Sequence, residues 1–353
     1  MHTQKKTEAA ALLAALAMTG ATAWGISINT VTIGGAGNEP DSRKMAWDGG
    51  TNNYGSVPYQ YQIGTTDVTN SQYVEFLNAV EVTPETNTLG LYNNNMTSSS
   101  RGGIEWDGIT GQYVVKPEFA DKPVNYVTVY DAMRFTNWLT NGASQGASTE
   151  TGAYILLGGT AIPANATVGR SFGSGLPETG TVWALPSEDE WYKAAYYSVA
   201  DSTWSLYPNG SDSINGGDAN YWGSGNGNDL VEAGRLKANP NGTYDMAGNV
   251  WEWNDTLITE WNGTTINAYG IRGGSYGDPA TYGASTGRGN GTFYDADAGS
   301  PALGFRVVLL TGLTVVPEPG TYAAMMGLMA LITGLWIPKS NRNGRLHTIS
   351  GKA

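Results

Sequence analysis

Tyr73, Phe76, Leu77 and Val80 recur at intervals of three and four, the spacing that lines one face of a helix. Thr69 stands just ahead of them with Gln72 three residues on, so the segment is predicted to open in a capping box. A second helix is expected from Val129 to about Leu139, capped by Thr128, with Phe135, Trp138 and Leu139 on its apolar face. A third begins at Ser187, where Glu190 completes another capping box. Glu188 and Asp189 complement the positive end of its dipole. Trp191, Ala194 and Ala195 then face a core, and the helix ends near Tyr197. Alternating apolar and polar positions predict strands at Ile26–Ile33 and Tyr59–Gly64. Short strands and glycine turns fill residues 89–118, and Pro123 keeps Lys122–Val127 extended. Residues 141–180 are rich in Gly, Ala, Ser and Thr and read as a long insertion with little regular structure. Gly270–Tyr276 and Leu303–Val307 read as two strands lying near each other. Their Arg272 and Arg306 sit in apolar company, where a guanidinium needs a carboxylate partner.

The stretch Tyr244–Trp253 departs from these patterns. Asp245 and Glu252 bracket a glycine turn, and Trp251 and Trp253 alternate as on one face of a strand. Buried indoles seek a partner for their N–H. Carboxylates beside them must stay solvated, pair with a cation or bind a metal. The stretch is therefore read as a calcium-held knot around which the domain is built. Asp218–Tyr221 is a second place where oxygen donors gather.

Composition narrows the chemistry. Among 353 residues there are 49 Gly, 20 Tyr and 12 Trp but only 14% charged residues, which describes a loop-rich globular chain with an aromatic core. The net charge of −12 argues against nucleic acid as a partner. There is no cysteine, and His2 and His347 both lie in terminal segments. Thiol nucleophiles, thiolate metal sites, Ser-His-Asp catalysis and imidazole-held metals are thereby excluded from the body of the protein. Oxygen donors remain, and these suit calcium or magnesium.

The ends read as sorting segments. In residues 1–23, Lys5 and Lys6 precede an apolar run that closes in Ala21-Thr22-Ala23, as in a secretory signal peptide. Near the other end come Val316-Pro317-Glu318-Pro319, an apolar run from Tyr322 to Ile337, and then Lys339, Arg342 and Arg345. That order implies a transmembrane helix with a cytoplasmic tail and an exported domain.

Two resemblances follow from these residues. The Pro-Glu-Pro, apolar helix and basic tail of residues 316–345 are similar to the PEP-CTERM sorting signal. That resemblance implies processing by an exosortase-type enzyme, display in the cell envelope, at the cell surface or in the extracellular matrix, and a link to exopolysaccharide. The body, residues 26–310, resembles the sulfatase-modifying factor family, the formylglycine-generating enzymes and their relatives. The motifs are Thr66–Asn70 with Tyr73, Pro123–Val127, Leu185–Trp191, Gly248–Trp253, Arg272–Tyr276 and Gly304–Arg306, in family order. The resemblance implies an α+β fold: a single, irregular, C-type-lectin-like domain with little regular secondary structure. It also implies one Ca2+ site at the side chains of Asp245 and Glu252 with the carbonyls of Gly248 and Val250, and a second at Asn220, the Tyr221 carbonyl and Asp229. The family's oxidases place two copper-binding cysteines just after the Arg-Gly-Gly-Ser motif. The corresponding positions here are Asp278 and Gly283, so that chemistry is lost.

The expected function is that of a non-catalytic, calcium-stabilised surface or matrix protein. It would bind polysaccharide or another surface protein through loops near Tyr276–Tyr294. The alternative is an enzyme of the same fold using carboxylates or tyrosines such as Asp278, Tyr282, Asp295 and Asp297.

Overall fold

A computed structural model describes residues 26–312 apart from 46–52, 81, 166, 262–263 and 291–298. The expected signal segment at 1–23 and sorting segment at 316–345 lie outside the described residues. Among the described residues no helix is long and apolar enough to cross a membrane.

The chain is mixed α/β with few helices. In order it forms β1 (Thr30–Ile33), β2 (Tyr61–Gly64), α1 (Asn70–Ala79), α2 (Asn95–Ser98), β3 (Ile104–Asp107), β4 (Gln112–Val115) and α3 (Val129–Thr140). Then come β5 (Thr181–Ala184), α4 (Glu188–Tyr196), β6 (Tyr197–Ser198), β7 (Thr203–Trp204), β8 (Trp251–Trp261), β9 (Thr264–Arg272), β10 (Gly289–Asn290), β11 (Leu303–Gly304) and β12 (Val308–Thr311). One sheet runs β1-β2-β12-β5 and is antiparallel throughout; another runs β10-β9-β8-β11, with β11 parallel to β8. The pairs β3-β4 and β6-β7 stand apart from both.

The three long helices begin where their caps predict. Thr69, Thr128 and Ser187 each accept the N3 backbone N–H, and the N3 residues Gln72, Asp131 and Glu190 each reach back to the cap N–H. Both halves of the box satisfy donors that a helix start leaves without partners. The apolar faces meet in an aromatic cluster. The ring of Phe135 lies 5.4 Å from Phe76, 5.8 Å from Trp138 and 5.4 Å from Phe305, all of them buried.

Two expectations need redrawing. The strand expected over 270–276 ends at Arg272, because Gly273 and Gly274 take φ of +100° and +73°, outside strand geometry. The strand expected over 303–307 is only Leu303–Gly304. The chain then crosses through Phe305–Val307 to the other sheet, where Val308 pairs with both Ile63 and Ala184. The Lys122–Val127 run is extended as expected and bridges Thr69 at Pro123, with backbone bonds to Val68, Asn70 and Ser300, before Tyr126 turns it at φ +59°. Side chains hold it as well. Asn70 Nδ2 donates to the carbonyls of Phe119, Lys122 and Pro123, and Trp253 Nε1 donates to the Val127 carbonyl at 3.1 Å. The insertion at 141–180 is loop, as expected, with one isolated bridge between Tyr154 and Arg170.

Candidate metal centre

Strand alternation sorts the organising stretch into two sides. Trp251 and Trp253 each find the N–H partner a buried indole requires, Asp278 Oδ2 at 2.8 Å and the Val127 carbonyl. Glu252, between them, points the other way and is fully buried. Arg306 Nε and Nη2 donate to its two oxygens at 2.5 and 2.6 Å, and Trp191 Nε1 adds a third bond at 2.8 Å. Arg306 also donates to the carbonyls of Gly64 and Tyr244. The predicted carboxylate partner of Arg306 is therefore Glu252, and both of its oxygens are engaged.

Asp245 opens the turn at φ +57°, and Gly248 and Asn249 follow at +77° and +60°. Three residues in the left-handed region within five positions make a turn that ordinary side chains resist. A Cβ on Gly248 would sit 2.0 Å from the Asn220 carbonyl oxygen, so only glycine fits there. Asp245 Oδ2 accepts the Gly234 N–H at 2.6 Å, whereas its Oδ1 is buried without a partner. No hydrogen bond reaches the Gly248 or Val250 carbonyl among the described residues. Burial lifts the Asp245 carboxyl to about 6, with the Gly234 N–H and Arg306 opposing and Glu252 reinforcing.

Asp67 is a neighbour that composition and pattern did not single out for chemistry. It is fully buried, and neither of its oxygens has a hydrogen-bond partner. Arg306 Nη2 stands 3.8 Å from its Oδ1. Burial, and then the charge of Glu252, push its carboxyl well above the ordinary range, against the pull of Arg306. Glu252 pairs with Arg306, Asp67 stands 3.8 Å from it, and the buried Asp245 carboxyl feels the same charge without touching it. A buried negative charge that is not paired must take up a proton or a cation.

The second group of predicted donors is also brought together, in part. Asn220 Nδ2 donates to the Asp229 carbonyl at 2.9 Å and to Asn249 Oδ1 at 3.1 Å, and Asn220 Oδ1 is a buried acceptor without a partner. The Tyr221 carbonyl accepts the Ser224 N–H. The Asp229 carboxylate turns outward to Arg101 at 3.0 Å and to its neighbour's N–H, more than half exposed. Asn249 joins the two groups: its N–H donates to the Asn220 carbonyl, its side chain bonds Asn220 and both backbone groups of Val231, and its carbonyl accepts from Tyr276.

Tested against a hard cation, the Asp245 turn offers three oxygen donors without hydrogen-bond partners among the described residues. Asp245 Oδ1 and the carbonyls of Gly248 and Val250 are oxygens lacking partners, as calcium takes them. Glu252 fits less well, because Arg306 already neutralises it. Among the described residues no three acidic or imidazole side chains converge on a point that could hold a metal, so such a site would rest on backbone oxygens as much as on charge.

The comparisons with known proteins agree with this geometry in fold. Residues 37–310 match the sulfatase-modifying factor enzyme 1-like domain. The chain belongs to that family. The solved structure of CarF is 21% identical, with 80% of this chain and 98% of that chain covered and a TM-score of 0.54. The Treponema denticola variable protein 1 is 20% identical over 80% of this chain and 95% of that one, at a TM-score of 0.50. Both show the fold alone. A search of curated proteins finds no match.

The resemblance puts the two cysteines of the family's oxidases where this chain has Asp278 and Gly283. Asp278 is a staple. Its Oδ2 accepts Trp251 Nε1, the Ser275 N–H at 3.1 Å and the Ser275 hydroxyl at 2.5 Å. At Gly283 a Cβ would lie 2.7 Å from the Ala247 Cβ and 3.2 Å from the Gly273 carbonyl oxygen. The crevice between Tyr221, Gly248, Gly274, Ser275 and Gly283 has no volume for a water molecule. The chain has no cysteine; Asp278 is engaged by Trp251 and Ser275, and there is no space for a side chain at Gly283.

Two outcomes test the electrostatics. Arg306→Met leaves Glu252 buried without its counter-charge and should cost about 3–5 kcal/mol in urea unfolding, partly recovered when Glu252→Gln is added. Asp67 binds a proton more tightly folded than unfolded. Its stabilising contribution is therefore complete below the unfolded value near ~4 and is lost as pH rises through the folded one. In chelator, Asp67→Asn should gain stability relative to wild type between pH 4 and pH 8. A relative loss at pH 8 would contradict a protonated Asp67.

Proposed function

We propose that this chain is a non-catalytic member of its family, exported to the cell surface or extracellular matrix, where the domain serves as a calcium-stabilised binding scaffold for polysaccharide. The observation that carries the reading is the filled crevice. Where the family's oxidases keep reactive thiols, Asp278 is bound to Trp251 and Ser275, and Gly283 is packed against Ala247. A site with no room for water has no room for oxygen and a substrate thiol. The C-type-lectin-like description of the core belongs to the same reading.

Calcium would be held by Asp245 and the carbonyls of Gly248 and Val250, with Glu252 at the margin; in the second group only Asn220 Oδ1 stays free to bind a cation, since Asp229 pairs outward with Arg101 and the Tyr221 carbonyl accepts Ser224. The role of calcium at the turn would be to neutralise buried carboxylates and fix a left-handed backbone. The Pro-Glu-Pro segment and the basic tail support export and exosortase handling.

The binding surface needs moving. Tyr276 is buried under Arg101, whose guanidinium lies 4.9 Å from the ring centre, and Tyr282 packs on Trp251 at 5.5 Å. Tyr276 offers no free face, Tyr282 is half-buried against Trp251, and Tyr294 lies outside the described residues. Trp222, 61% exposed, is an aromatic that offers one. The enzyme reading at Asp278, Tyr282, Asp295 and Asp297 loses Asp278 to the staple, while Asp295 and Asp297 lie outside the described residues.

The test is retention. The mature domain should be retained on matrix polysaccharide from the producing cells, and deletion should alter that matrix. No retention on any matrix fraction, with an unaltered matrix on deletion, would remove the proposal.

A further inference from the structure

On another part of the domain, a cleft of about 410 Å3 opens between the Ser56–Tyr59 loop, the insertion at Gly169–Ser174, the start of α4 and the Asp255–Thr256 part of β8. Its size falls in the range of small-ligand sites, which run from about 300 to 1,000 Å3. It contains none of the positions matched to the family's cysteines or metal donors.

The floor is a rigid ion network. Arg170, with its side chain 4% exposed, holds Glu190 through Nη1 at 3.0 Å and Nη2 at 2.6 Å, Asp255 through Nε at 2.6 Å and the Leu185 carbonyl through Nη2. The cation is thus committed to acids of the protein and is a poor hook for an anionic ligand. The acids keep capacity to spare. Asp189 Oδ1 accepts the Gly55 N–H, and Asp255 Oδ2 accepts Tyr154 and Arg170, which leaves one oxygen on each without a protein donor among the described residues. Tyr59 is fixed by its hydroxyl, which donates to Glu190 Oε1 at 2.8 Å, and its ring stands in the wall beside Pro58.

A cavity with two carboxylate acceptors, one tyrosine wall and no free cation selects a ligand that donates hydrogen bonds and carries an apolar face. A sugar ring has both, in its hydroxyls and its C–H face. We propose that this cleft is a saccharide subsite for an uncharged glycosyl residue, with Asp189 and Asp255 accepting from its hydroxyls and Tyr59 lining its apolar face. The proposal rests on the polysaccharide-binding reading and gives it a location and a preference for neutral over acidic sugars.

The experiment is equilibrium binding of the whole exported domain to neutral gluco-, manno- and galacto-oligosaccharides, to a polyuronate of matching length, and to matrix polysaccharide. Two variants accompany the wild type. Asp189→Ala removes an acceptor, and Ser174→Trp fills the mouth from an exposed position whose side chain supports nothing else in the fold. The expected result is binding of a neutral series that weakens at least tenfold in both variants, with the polyuronate ignored and the melting temperature of Ser174→Trp unchanged. Equal binding by folded Ser174→Trp, or a preference for the polyuronate, overturns the subsite while leaving a polysaccharide binder standing. No binding of any glycan by the wild type removes both.

Discussion

The Arg306–Glu252 pair is the contact on which the rest of this architecture depends. It ties the strand that follows the glycine turn to the segment that crosses between the two main sheets, and it collects Trp191 of α4 and the carbonyls of Gly64 and Tyr244 on the way. In a chain with short strands and long loops, such a pair does what sheet ladders do elsewhere. A buried ion pair contributes little net stability, because desolvation offsets its attraction, but removing one partner is costly. It therefore selects one arrangement of the loops against others. It also leaves an imbalance, since Asp67 lies beside the same guanidinium and the buried Asp245 carboxyl lies within reach of its charge. A proton on Asp67 and the calcium proposed at Asp245 would resolve it without another basic residue.

Two more arginine hubs repeat the arrangement along the same pair of elements. Glu188 of α4 takes Arg272 and Arg288, and Asn254 of β8 donates to it. Burial pushes its carboxyl up, but the two guanidinium groups pull it below the usual value. Glu190 and Asp255 share Arg170. Glu188 and Glu190 on the first turn of α4 precede Trp191, and on β8 Glu252 sits between the core indoles Trp251 and Trp253. The helix start and the strand are wired together from inside, and the surface loops inherit their positions from that wiring. A binding face built on loops needs such a base.

Much of this was legible in the chain, and what was not has physical reasons. Caps were readable because their chemistry is local: Thr69 with Gln72, and Ser187 with Glu190, need only three residues of context. The demand of Arg272 and Arg306 for acids followed from their apolar neighbours, but which acids could not, because Glu188 and Glu252 arrive from distant parts of the sequence. Glu188 was accounted for by the helix dipole alone, and an acid that also neutralises two arginines looks no different in a sequence. Asp67 hid inside a helix-entry motif. Arg170 hid in a low-complexity insertion, where only a lone arginine among small residues marked it. The turn at Asp245 was found through its glycine and its acids, while the direction of each carboxylate depended on folds of chain far away.

The central claim is that the buried carboxyl groups near Arg306 are balanced in part by a calcium ion at the Asp245 turn. The most direct measurement is calorimetric titration of calcium into the chelator-stripped domain, beside Asp245→Ala checked for folding by circular dichroism. The account predicts saturable calcium binding in the wild type and at least one fewer calcium bound in the folded variant. Equal calcium uptake by both, or none by the wild type, would contradict it.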